Sequence, residues 1–283
     1  MKLLRNVFLV LLLLILSAAG CVFYAFKIEP YRLKTNEYTI NKTQSDSTPV
    51  KIIQISDLHI KEDFTCKRLE KVVNKVNSQN PDIILFTGDL YDNYAAYSDD
   101  ENITAALQEL KAAHGKIAVW GNRDYGGGAS RQYESIMRKA GFTLLKNENL
   151  SVTLNDQKKI LFTGLDDSLL GRPLMPYTAG SDDSDYSILL THEPDIIDEY
   201  MDNNYDLVLS GHSHGGQINI PFLPAVNEKA VETTALSTRY SGGMYHLKED
   251  PDTTLYVNTG IGTTHISARF GVVPEVAVFY VCL

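Results

Sequence analysis

Two histidines two residues apart in a glycine-rich turn, Gly211-His212-Ser213-His214-Gly215-Gly216-Gln217, are suited to binding a metal ion. Imidazole nitrogens ligate divalent transition metals, and glycine lets the backbone turn tightly enough to approach an ion or a phosphate. Donors of the same kind recur upstream: Asp57 and His59 in Asp57-Leu58-His59, Asp89 after Gly88, Asn122 in Gly121-Asn122-Arg123-Asp124, and His192 before Glu193-Pro194. Each alone reads equally well as a turn or structural residue. Together they supply carboxylate, amide and imidazole donors. Arg123 adds a permanent positive charge, with several N–H groups in one plane for a phosphate oxygen.

What must position these groups is legible around them. Each set follows an apolar run of strand length, at residues 51–56, 81–87, 116–120, 186–191 and 205–209. Helical spacing separates several of the runs, at 64–77 with Leu69, Val72, Val73 and Val76, at 103–113 with Leu107 and Leu110, and at 130–140. Further strands are predicted at 142–145, 150–154 and 159–164. Open α/β sheets gather ligands outside the carboxyl ends of their strands, so the five exits can converge in one crevice. His59, His192, His212 and His214 fall at these exits, whereas His114, His246 and His265 do not. Asp92, Asp99, Asp100 and Glu101 read as a solvated acidic face, and Asp166 and Asp167 as a turn. Tyr125-Gly126-Gly127-Gly128 is either a lip on the site or a flexible turn.

The chain has 283 residues and a formal charge of −9, a balance that argues against nonspecific nucleic-acid binding, so no nucleic-acid partner is expected. Its three cysteines, Cys21, Cys66 and Cys282, form no disulfide or zinc-knuckle pattern. Residues 7–26 carry no charge and are long enough to cross a hydrocarbon core, so 1–28 is read as a transmembrane anchor or signal segment. Lys2 and Arg5 before it favour a cell-membrane protein whose catalytic domain lies outside the cytoplasm, although Lys27, Arg32 and Lys34 weaken the asymmetry. Ala18-Ala19-Gly20-Cys21 can be read as a lipoprotein cleavage site or as a cysteine facing lipid. Residues 29–49 are expected to be a polar linker, or an edge strand around Tyr38-Thr39-Ile40, and 50–283 a single domain. The sequence leaves the oligomeric state open.

The donor pattern resembles that of the calcineurin-like metallophosphoesterase superfamily: Asp-x-His, Gly-Asp, Gly-Asn-His-Asp/Glu, His and Gly-His-x-His. Here it reads Asp57-Leu58-His59, Gly88-Asp89, Gly121-Asn122-Arg123-Asp124, His192 and Gly211-His212-Ser213-His214. The Gly211 to Gln217 stretch, the segment around Asn258-Thr259-Gly260 and Arg269-Phe270-Gly271, and the N-terminal segment are similar to its bacterial membrane-associated branch. The resemblance implies an α/β four-layer sandwich of two mixed β-sheets flanked by helices. It implies two divalent ions, one held by Asp57, His59, Asp89 and His214 and the other by Asp89, Asn122, His192 and His212. Such a pair, about 4 Å apart, would polarise a phosphoryl group and activate a bridging water for in-line attack. The mixed N and O donors suit Mn²⁺, Fe or Zn²⁺.

Arg123 departs from the pattern, which usually has His at that position to protonate or stabilise the leaving oxygen. Guanidinium cannot act as a general acid near neutral pH, but it can stabilise phosphate charge. Either Arg123 anchors a pyrophosphate, whose leaving group needs little protonation, or His265 or another group supplies the proton for phosphodiester cleavage. Members of the superfamily that hydrolyse UDP-2,3-diacylglucosamine share the Gly-Asn-Arg-Asp form but lack the N-terminal anchor and the Gly-Gly-Gln ending. The resemblance thus implies the class of bond and not the substrate. An anchored enzyme would meet a lipid-linked or envelope phosphoester. Phe222, Leu223, Pro224 and Val226 are read as an apolar approach to the site or a packed loop. The alternative is a metal-binding scaffold with weakened catalysis.

Overall fold

In the computed structural model, residues 1–41, 48–176, 183–200, 205–232, 234–247 and 253–283 are described. Two mixed six-stranded sheets face each other. The first contains β1 (Lys34–Asn41), β12 (Glu275–Cys282), β2 (Val50–Ile55), β3 (Ile83–Phe86), β4 (Lys116–Ala118) and β5 (Phe142–Leu144), in that spatial order. The second runs β10 (Gly243–His246), β11 (Thr254–Val257), β9 (Leu207–Ser210), β8 (Tyr186–Leu190), β7 (Lys159–Gly164) and β6 (Glu148–Thr153). Strands β2 to β5 are parallel, as are β11, β9, β8 and β7, while β12–β2, β10–β11 and β6–β7 pair antiparallel.

The period-two pattern of β2 divides the core. Ile53 and Ile55 face helices α2 (Cys66–Asn77), α3 (Asp100–Gln108) and α5 (Tyr133–Lys139), whose buried stripes include Leu69, Val73, Leu107 and Met137. Ile52 faces inward, to Phe162, Ile188 and Leu209 of the second sheet. Burying one such side chain contributes about 2 kcal/mol, so these stripes hold the layers together. Beyond the second sheet, Val208 and Leu255 pack under a 3-10 turn, Pro194–Glu199, through Ile197 and under Tyr240. Between the sheets Gln54 is wholly buried, and its Nε2 donates to Thr87 Oγ1 at 3.0 Å and to the Ser210 carbonyl at 2.9 Å. This amide fixes the exits of β2, β3 and β9 relative to one another.

Most of the described part of the linker expected over 29–49 is in regular structure. Glu29 and Pro30 are buried in a 3-10 turn, and β1 pairs in parallel with β12 from Lys34↔Glu275 to Asn41↔Cys282. The edge-strand reading is therefore the right one, over a longer span, with Tyr38 and Ile40 packed on the inter-sheet core. Residues 42–47 lie outside the described residues. β1 and β12 are far apart in the chain, so local polarity concealed the pairing. Ahead of them α1 (Lys2–Lys27) is long and apolar enough to cross a membrane. Helix α6 (Pro224–Glu232) has no buried residue.

Candidate metal centre

Backbone conformation marks the site before any side chain is considered. Asp57, His59, Asp89, His212 and His214 have φ of 51°, 44°, 63°, 67° and 51°, the left-handed region that residues other than glycine avoid. Each costs about 1–3 kcal/mol, so the surroundings must hold them there. Asp124 does much of this, accepting N–H bonds from Asp89, Leu90 and Gly121, each at 2.9 Å, and so tying the β3 exit to the β4 exit. Burial first, and then the Asp89 charge, push its carboxyl up to about 8. The Asp57 carboxylate receives the His212 N–H at 3.1 Å, which joins the two sheets' exits. A Cβ on Gly88, at φ +95°, would lie 2.6 Å from Gly121 N and 2.8 Å from His192 Nδ1, so this turn requires glycine.

The side chains form two buried groups, Asp57–His59–His214 and Asp89–His192–His212, with the ligand atoms of each group within 4.8 Å of one another. His214 Nε2 lies 3.4 Å from Asp57 Oδ1 and 2.9 Å from His59 Nε2. Asp89 Oδ2 stands between the groups, 3.4 Å from His59 Nε2 and 3.3 Å from His192 Nε2. Its other oxygen, Oδ1, accepts the Arg123 N–H at 2.8 Å. Asn122 Oδ1 and His192 Nε2 are buried with no hydrogen-bond partner among the described residues. Buried polar atoms are nearly always satisfied, so an unbonded imidazole nitrogen inside the Asp89 group and an unbonded amide oxygen at the β4 exit both suit a cation as partner. The residues present fit a pair of divalent cations.

The electrostatics agree with this. Burial opposes ionisation of Asp57 and Asp89, yet His214 beside Asp57 and His192 beside Asp89 hold both carboxyls below the usual range. Burial would likewise lower His59 and His192, but bonding to Asp57 and Asp92 raises His59, and the Asp89 charge raises His192. The cluster thus favours positive charge at its centre, which a divalent ion supplies. Burial lowers His212 to about 4, with His192 adding to the effect, and lowers His214 well below its ordinary value, the direction that favours the neutral imidazole a metal ion needs.

Partners outside the cluster orient the rings. His192 Nδ1 faces the Thr87 carbonyl at 2.6 Å, and His212 Nε2 faces the Ala235 carbonyl at 2.8 Å, leaving the opposite nitrogen of each for an ion. His59 Nδ1 lies 3.1 Å from Asp92 Oδ1. Asp92 is therefore not part of a solvated acidic face as its neighbours in sequence suggest. Its carboxylate sets the His59 ring, and Lys61 lies 3.6 Å beyond it. Asp92→Asn is expected to weaken metal affinity about 10- to 100-fold, read by metal titration of the purified chain, with little change in Tm.

A match to the family described as calcineurin-like phosphoesterase spans residues 50–216, a stretch that contains every residue of both groups. This chain belongs to the calcineurin-like phosphoesterase family. It is 38% identical over 267 residues to the uncharacterized metallophosphoesterase YkuE of Bacillus subtilis, covering 93% of this chain and 91% of that one. YkoQ of the same organism, also an uncharacterized metallophosphoesterase, is 31% identical over 284 residues, covering 93% and 97%. A UDP-2,3-diacylglucosamine pyrophosphatase, LpxG of Chlamydia trachomatis, is 29% identical over 291 residues, covering 84% and 86%.

Within this calcineurin-like phosphoesterase, Arg123 lies beside the donor cluster, its backbone N–H on Asp89 and its Nη2 3.1 Å from Thr264 Oγ1. Gln217 holds Thr264 from both sides, accepting its N–H at 2.7 Å and donating to its carbonyl at 2.9 Å. The Gly-Gly-Gln ending of the histidine turn thus positions Arg123 through Thr264. His265 is exposed next to Thr264 and joins neither group. Asp166 and Asp167 are the turn builders expected, accepting the N–H groups of Arg172 and of Leu170 and Gly171. The sequence reading assigned no role to Arg269, whose buried guanidinium reaches the Thr259, Gly262 and Val272 carbonyls and lies 3.3 Å from His214 Nδ1. Only its place beside Phe270-Gly271 in the motif pointed to it.

Proposed function

We propose that the chain is a membrane-associated phosphohydrolase using two divalent ions, with Asp57, His59, Asp89 and His214 holding one and Asp89, Asn122, His192 and His212 the other. The observation that carries this is Asp89 Oδ2, about equally distant from an imidazole nitrogen of each group. When bound, the ions would polarise the phosphoryl group and supply the water nucleophile. The chain's own residues do the rest. The Arg123 N–H on Oδ1 keeps the Asp89 carboxylate turned so that Oδ2 faces both groups. Thr264 takes up one guanidinium nitrogen and leaves the other N–H groups for phosphoryl oxygens.

Arginine holds its proton too tightly to protonate a leaving alkoxide, and it suits a leaving phosphate, which needs no proton. The exposed position of His265 gives no support to its acting as the acid. A pyrophosphate bond is accordingly the favoured substrate class, in keeping with the name of the chlamydial relative. Helix α1 favours a substrate at the membrane. The complete ligand set supports a hydrolase over a scaffold. The test is a phosphorus NMR time course on the full chain in detergent with Mn²⁺, in the presence of a monoester, a diester and a nucleoside-diphosphate sugar. The diphosphate signals are expected to give way to two monoester signals. Loss of the diester with the diphosphate intact would overturn the pyrophosphate reading.

A further inference from the structure

Helix α1 does not hang from a swivel. Through most of its length its side chains are exposed, but Ala25 is buried, and its carbonyl accepts the Arg269 N–H at 2.9 Å. The Tyr24 ring meets Phe270 edge-on at 6.1 Å. Just beyond, the Pro30 carbonyl accepts from Arg68, whose guanidinium lies 4.6 Å from the Tyr31 ring and 4.3 Å from the Phe64 ring. The direction in which α1 leaves is therefore set by the same fold that carries the metal cluster.

The segment that grips α1 also holds a loop. Phe270 bonds through its backbone to Gln217 at 3.0 Å and to Asn219 at 2.6 Å, forming the parallel bridge Ile218↔Phe270. Directly after Asn219 the chain makes a loop closed at its base by Asn227, whose side chain accepts the Ile220 N–H at 2.7 Å and donates to the Ile220 carbonyl at 3.0 Å and to Asn219 Oδ1 at 2.8 Å. From that base Phe222 stands 99% exposed at φ 67°, with Leu223 and Val226 about half exposed. On the other side of Phe270 the turn at Ile266 is also half exposed, with Ala268 N bonding back to Ile266 O at 2.8 Å. Large apolar side chains displayed together on a soluble surface mark an interaction site. These four flank the residues that fasten a membrane-length helix to the fold.

We propose that residues 220–226, a turn and the first residues of α6, with Ile266, are a second membrane contact that dips into the bilayer beside α1; this rests on the reading of α1 as a membrane anchor. The occupant is lipid because the two segments that carry these side chains meet at the Ile218↔Phe270 bridge, and Phe270 packs against Tyr24 of α1, a helix long and apolar enough to cross a membrane. Thr264, which takes up Arg123, is two residues from Ile266. The mouth of the metal site is thereby seated at the level of lipid head groups, and the substrate is a phosphoester whose apolar part stays in the bilayer.

The test uses the full chain in nanodiscs of phosphatidylcholine with brominated acyl chains, compared with unbrominated ones. Trp120 is the one native tryptophan and is buried, so it provides a constant baseline. Phe222→Trp replaces an exposed side chain and adds emission that bromine is expected to reduce more than twofold. Phe26→Trp, near the end of α1, reports on the anchor itself. Quenching of both supports the proposal. Quenching of Phe26→Trp alone overturns it and leaves the anchor reading standing. Quenching of neither overturns both.

Discussion

Replacing Asp89 with Asn is expected to lower turnover about 10⁴-fold and, on the proposed two-ion reading, to take bound metal from two ions per chain to fewer than one. The change is isosteric, and the amide oxygen can still accept the Arg123 N–H that now reaches Oδ1 at 2.8 Å. What is lost is the negative charge at Oδ2, which stands 3.4 Å from His59 Nε2 and 3.3 Å from His192 Nε2, one imidazole of each group. An amide oxygen binds one cation weakly and bridges two poorly. A loss of 10⁴ is about 5.5 kcal/mol of transition-state stabilisation, in line with the several kcal/mol that metal polarisation of a phosphoryl group supplies. Elemental analysis beside a steady-state assay decides it, with circular dichroism checking the fold. A variant that keeps two ions and more than a tenth of its activity would remove Asp89 from the bridging role.

Arg123→His is expected to have a signed effect, because on the proposed reading it trades an anchor for an acid. The guanidinium is held by Thr264 at 3.1 Å, and the backbone N–H of the same residue bonds Asp89. Removing a preorganised donor to developing phosphoryl charge costs about 10²- to 10³-fold, so turnover of a nucleoside-diphosphate sugar is expected to fall by that factor. Histidine can donate a proton, so diesters with alkoxide leaving groups are expected to gain, and the ratio of the two activities reverses. Arg123→Lys keeps the charge without the planar fork and should fall between them. Equal losses on both substrates would mean that Arg123 binds phosphate without selecting the leaving group.

Much of this site could be read before any coordinates. The strand exits at Asp57, Gly88-Asp89, Gly121-Asn122, His192 and Gly211-His212 followed apolar runs that became β2, β3, β4, β8 and β9, and the helix over 64–77 shortened only to Cys66–Asn77. These signals are local. A strand announces itself by its own alternation or apolar run, and the parallel topology then sends its carboxyl end to the common edge.

What stayed hidden depends on a partner distant in the chain. Asp92 looks the same in sequence as Asp99, and only its 3.1 Å contact with His59 Nδ1 separates the two roles. Lys34–Asn41 reads as polar linker until β12, more than two hundred residues on, supplies its hydrogen bonds. Arg269 carries no local sign of full burial, which carbonyls of Thr259, Gly262 and Val272 make tolerable. Phe222 could have been packed or displayed, and it is displayed because Asn227 closes the loop beneath it. The sequence by itself determined the donor types and the strands that carry them, since both follow from local chemistry and periodicity. The tertiary structure alone decided which oxygen stands between the two groups, which charge steadies which ring and which apolar residues stay outside, because a side chain's energy is set by the groups it faces.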